Sequence, residues 1–115
     1  MKQQQAHARR VSAIRKAVVL ADEAAVITAG VTVFDCLSKG KAWKDTRKAA
    51  RKFEKASWLM GKAGLGAASK KFLHEAATCW EMVGESGQGE QCRQSANEID
   101  VFYVFEEEES HNDTE

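Results

Sequence analysis

Few side chains in this chain are of a type and spacing that could do chemistry. His74, Glu75 and Cys79 lie close together on a stretch of helical period. A metal ion needs three or four converging ligands, and the standard zinc spacings are missing here. The cysteines Cys36, Cys79 and Cys92 are odd in number and form no CxxC pair. A Cys–His nucleophile built from His74 and Cys79 would place its partners five positions apart, where they do not face each other squarely on a helix. There is no GxSxG elbow, no phosphate-binding loop and no dinucleotide fingerprint. Accordingly, no catalytic residue, metal ligand or cofactor is assigned, and a non-enzymatic protein is expected.

Recognition is the chemistry that remains. Lys44, Arg47, Lys48, Arg51, Lys52 and Lys55 fall on one side of a helical stretch, with Trp43, Phe53 and Trp58 interleaved. Several cations in a row can displace counterions from phosphates. They can equally meet an acidic protein surface, or pair with Glu81, Glu85 or the acidic end of this same chain. A helix-turn-helix is disfavoured, because its turn would be shorter than the glycine-rich residues 61–66. Trp43 and Trp80 fit apolar stripes. Trp58 lies off the stripe led by Phe53, which marks it as a contact for another helix or another molecule.

The elements that position these residues follow from periodicity. Residues 41–83 read as two amphipathic helices, with Trp43, Thr46, Ala50, Phe53 and Met60 on one and Ala68, Phe72, Ala76, Trp80 and Val83 on the other. Upstream, Val11, Ile14, Val18, Ala21 and Ala25 predict a helical seam over residues 6–29. That period runs on through Val31, Phe34 and Leu37 after a kink at Gly30, and Gly40 is the stop. Downstream, residues 86–89 read as a loop, and a last helix from Glu90 carries Cys92, Ala96, Ile99 and Tyr103 on its apolar face. The expectation is an all-α fold: a four- or five-helix bundle of alanine-rich antiparallel helices over residues 1–105, then an acidic, disordered tail over 106–115. Phe102, Tyr103 and Phe105 end the helical part in an apolar run that something must cover, either the N-terminal helix or a partner, which could be a second copy.

Charge is strongly segregated. Residues 1–75 carry 16 Lys or Arg against 6 Asp or Glu, and residues 76–115 carry 1 against 11, so the formal net charge of zero conceals opposed halves. Self-association, internal neutralisation and two separate partner faces are all compatible with that. The opening residues, with Arg9 and Arg10, lack a secretory apolar core, and no apolar run is long enough to span a bilayer. A cytoplasmic protein that does not enter membranes is expected.

Trp80, Val83 and Gly84, with Ala96 on the next helix, resemble the spacing of tetratricopeptide-like units over residues 77–105, with a departure at Asp100, where that family prefers a large apolar residue. The phrase Glu75-Ala76-Ala77-Thr78-Cys79-Trp80 is similar to the helical core of small negative regulators of AraC-type activators. Either resemblance implies a helical surface that holds a protein segment and carries no catalytic residue. The function expected is binding of a protein partner so as to regulate or inhibit it, through Lys44, Arg47, Lys48, Arg51, Lys52, Lys55, Trp58, Phe102, Tyr103 and Phe105. Nucleic-acid binding through residues 44–55 is the alternative.

Overall fold

A computed structural model describes residues 2–99. It contains five helices among them and no strand: α1 (Lys2–Thr28), α2 (Val33–Cys36), α3 (Lys41–Lys62), α4 (Gly66–Met82) and α5 (Ser86–Glu98). The all-α expectation therefore holds. The long helices pack in chain order, α1 on α3, α3 on α4 and α4 on α5, with the short α2 against α3. Residues 100–115, including Phe102, Tyr103, Phe105 and the acidic tail, lie outside the described residues.

Two turns of one design set this order. At the end of α3, Gly64 takes φ +80, its N–H donates to the Gly61 carbonyl, and the Leu65 N–H donates to the Met60 carbonyl. Twenty residues later Gly84 takes φ +82, donating to Glu81, while Glu85 donates to Trp80. Both are Schellman caps, which use a left-handed residue to satisfy the last helical carbonyls. In each, the residue after the glycine already accepts the first bond of the next helix, Ser69 to Leu65 and Gly89 to Glu85. Half of the glycine-rich stretch 61–66 is thus helix, and the connection is only residues 63–65.

Three local readings change. Residues 86–89 are the first turn of α5, not a loop. Gly89 is buried, and a Cβ there would lie 3.0 Å from Glu81 Cγ and 3.2 Å from the Ala77 carbonyl oxygen, so glycine lets α5 approach α4 without the shift of a few tenths of an ångström that a larger residue would force. In α1, Ala17, Ala21 and Ala24 face α3 together with Ile14, Leu20 and Ile27, while Val18 and Ala25 are exposed. Alanines win the seam because they let two backbones come near enough for many dispersion contacts. Finally, α1 does not continue past Gly30. The chain restarts at Thr32, whose side-chain oxygen accepts from the Asp35 N–H while its backbone N–H donates to the Asp35 carboxylate, a capping box. Phe34 and Leu37 point outward, and Gly40 begins α3 instead of ending a helix.

The core is one connected cluster, running from Ala17 and Ala24 through Ala49, Phe53 and Ala56 to Trp80 and Cys92. Phe53 and Phe72 stack with centroids 6.3 Å apart between α3 and α4. Deeper in that seam, Ser57 Oγ lies 2.7 Å from the Ser69 carbonyl, and Ser69 Oγ lies 2.8 Å from the Ser57 carbonyl. The two hydroxyls, 2.9 Å apart, share two protons among three contacts, so at any moment one of the three contacts carries no proton.

Candidate functional site

The outward side of α3 is where the recognition residues sit. Lys44, Lys48, Arg51, Lys55, Trp58 and Lys62 recur three or four apart and all are exposed. They form a ridge about 27 Å long, from the 1.5 Å rise per residue. Among the described residues none of its cations forms an ion pair.

The other two predicted cations leave this ridge for its flanks. Arg47 is partly buried beside Trp43, its guanidinium 4.7 Å from the ring centroid, and it reaches Glu85 at 3.2 Å. Arg47 Nε and Glu85 Oε2 are buried without partners, so the pair is single-pronged where a guanidinium could offer two donors. Lys52 bends toward α1 and meets Glu23 at 3.4 Å. Two of the six cations are therefore already engaged within the fold, while Lys44, Lys48, Arg51 and Lys55 remain directed to solvent. Arg51 also stands 6.0 Å over the Trp80 ring.

Where the ridge meets α1 there is a cleft of about 680 Å³. Its rim carries Arg15 and Lys16 from α1 and Lys55 and Lys62 from α3. Its walls are Val19, Leu20, Leu59 and Trp58. Trp58 is 59 % exposed and Val19 57 %, a large apolar outlay for a monomer surface. Lys62 Nζ lies 4.4 Å from the Trp58 ring centroid, within cation–π range. Arg10 donates to the Ala63 carbonyl at 2.8 Å, which ties α1 to the C-terminal end of α3 and holds the cleft walls at fixed spacing. A cation at that helix end also suits its dipole.

Trp58 and Lys62 are shared with a second cleft of about 520 Å³ on the other side of α3. Ile99, Leu73 and the Ser57–Ser69 pair line it. The tryptophan is thus a partition between two hollows, one strongly cationic and one largely neutral. Sequence reasoning found Trp58 and Lys55 but missed Arg15, Lys16 and Lys62. Arg15 and Lys16 stand on another helix and reach the ridge only through the α1–α3 crossing, whereas Lys62 follows Trp58 by four positions on the same helix and its helical spacing could have found it.

The histidine and cysteines sit elsewhere. His74 Nδ1 lies 3.3 Å from Arg93 Nη1 on the edge of α4–α5. Burial, reinforced by Glu75, pushes the Cys79 thiol up to about 11. Burial and the neighbouring Glu54 do the same to Cys92, also to about 11. An activated thiolate requires the opposite shift. Among the described residues no three His, Cys, Asp or Glu side chains are grouped as a metal set would be, and no helix is long and apolar enough to cross a membrane.

Comparisons with protein-family models, curated proteins and solved structures gave no match. The arrangement itself must therefore carry the functional reading.

Proposed function

We propose that this protein is a non-catalytic binding module that regulates a protein partner by holding an acidic, apolar-bearing segment of it in the α1–α3 cleft. The observation that carries this is one cleft combining four cations that form no ion pair among the described residues with an exposed tryptophan and aliphatic walls. Cations on the rim select carboxylates and speed encounter, while Trp58, Val19 and Leu20 supply the apolar contact that long residence requires. A helical surface holding a polypeptide is also what the tetratricopeptide-like resemblance implies.

The test is a titration of a synthetic peptide of alternating Glu and Phe, followed by amide and indole resonances. The chain used carries Glu106→Gln, Glu107→Gln, Glu108→Gln and Glu109→Gln, so that its own carboxylate run does not compete. Val19, Lys55, Trp58 and Lys62 are expected to shift together. Trp58→Ala is expected to weaken binding by at least about tenfold, as a central aromatic anchor does. Resonances that stay still, or shifts scattered over α4 and α5, would refute the reading.

One observation favours a second reading. Lys44, Lys48, Arg51 and Lys55 form a row, without ion pairs among the described residues, that is suited to phosphates. Nucleic-acid binding would be lost on Lys48→Glu with Arg51→Glu and would fade steeply with salt. Peptide binding in the cleft would survive that pair and be lost on Lys55→Glu with Lys62→Glu.

A further inference from the structure

Charge bookkeeping over the whole chain has an uneven result. Residues 1–99 hold all 17 Lys and Arg with 10 Asp and Glu, and residues 100–115 hold no cation of that kind and 7 Asp and Glu. The helical body is therefore +7 and the segment after it −7. Within that segment the order is apolar and then acidic: Val101, Phe102, Tyr103, Val104 and Phe105 precede four consecutive glutamates. That is the composition expected above for an occupant of the Trp58 clefts.

The geometry gives this segment its route. Ile99, the last described residue, lines the second cleft together with Trp58 and Lys62. Those same two side chains line the cationic cleft. Glu106 is seven residues beyond Ile99, a reach of up to about 23 Å for extended chain. Crossing the outward side of one helix takes about 10 Å. The apolar residues therefore have length to lie along the neutral cleft, with the glutamates arriving at Arg15, Lys16, Lys55 and Lys62.

We propose that residues 106–109 fold back onto the cationic α1–α3 cleft of the same molecule and compete there with an acidic partner segment. This rests on the binding reading above and names the regulation of that site. The tether makes the competitor intramolecular, so it acts at high effective concentration although each contact is weak. A partner must displace it, and rising ionic strength releases it.

The experiment attaches a nitroxide to the full chain carrying Ser110→Cys. Cys36, Cys79 and Cys92 are buried, so labelling near neutral pH goes to the introduced thiol. At low salt, Val19, Lys55, Trp58 and Lys62 are expected to lose most of their signal intensity, and to regain it at high salt or in the fourfold Glu→Gln chain described above. Full intensity at low salt overturns the proposal, as does loss confined to the Asp22, Val26 and Lys48 region. Loss that persists in the fourfold variant also overturns it, since charge would not be the cause. A mixture of isotope-labelled chain without nitroxide and nitroxide chain without isotope separates a second copy: loss appearing there at equal strength means docking between molecules and refutes the intramolecular claim. If the segment stays away while the Glu-Phe peptide still shifts Trp58, this inference falls and the binding reading stands. If neither occurs, both fall.

Discussion

The α4–α5 seam and the α1–α3 seam are built alike and finished differently. Both bring helices close with small residues, Gly89, Ala77 and Ala96 in one, Ala17, Ala21 and Ala24 in the other. Along the edge of α4–α5 the polar groups answer each other: Arg93 donates twice to Glu81 at 2.8 Å and faces His74. Along the edge of α1–α3, among the described residues, only Lys52 finds a carboxylate, and Arg15, Lys16, Lys55 and Lys62 line the cleft beside Trp58. The same close packing thus serves a self-satisfied edge in one place and a surplus of charge and aromatic surface in the other. That surplus contributes little to holding the fold, which is the physical ground for reading it as recognition.

Two tryptophans test this contrast most strongly. Trp80 is 2 % exposed and donates its Nε1–H to Glu54 at 3.0 Å. Trp80→Ala opens a large cavity and leaves that carboxylate without its donor, so denaturant melts should show a loss of about 3–5 kcal/mol. Trp58→Ala at the exposed ridge should stay within about 0.5 kcal/mol of the parent. Comparable losses for both would mean that Trp58 is structural and that the contrast fails.

Overpacking the two seams comes next. Ala24→Leu and Gly89→Leu should each cost about 1–3 kcal/mol, because neither site has room to expand without backbone movement. Thermal unfolding of the two variants measures this directly. A seam that accepts leucine is looser than the other, and the likeness of the two halves of the comparison would be lost.

How much of this could be read from the sequence divides along the same line. The helical class was legible because no proline interrupts the 3.6-residue period and the stripes Thr46–Ala50–Phe53–Met60 and Ala76–Trp80 are regular. The start of α5 was not, since a Gly-Gln-Gly phrase reads as loop until the neighbouring helix is seen to demand a missing Cβ at Gly89. The α1 seam was legible in part: Ile14 and Ala21 face the core as their spacing predicts, but Val18 and Ala25 are exposed and the contact passes instead through Ala17 and Ala24, whose small side chains allow close packing. In the site, Trp58 announced itself by standing off the stripe. Glu85, which takes Arg47 out of the cationic row, was already among the carboxylates that could pair with the basic helix, whereas Glu23, which takes Lys52, stands on another helix and nothing local points to it.

The cysteines give a smaller and cleaner effect. With Cys79 and Cys92 pushed up to about 11 by burial, thiol-specific reagents should react with the folded chain far more slowly at neutral pH than with the unfolded chain. A fast-reacting Cys79 would require a more open α4–α5 seam than the one described.

The smallest effect concerns the satisfied edge itself. The hydrogen bond from Arg93 holds the Glu81 carboxyl below its ordinary value of 4.5. A carboxyl depressed in the folded state adds stability above its unfolded value and loses it as pH falls through the folded one. The pair is well exposed on both sides, so solvent screening keeps it to about 0.2–1 kcal/mol. Arg93→Ala should therefore lower stability slightly at neutral pH and flatten the decline of stability below the ordinary carboxylate range. A double-mutant cycle with Glu81→Ala isolates the coupling, and the same cycle on Lys55 with any single carboxylate of residues 2–99 should return none. A sizeable coupling for Lys55 within that span would show that the cationic edge is satisfied after all, by a carboxylate the static geometry leaves out of reach.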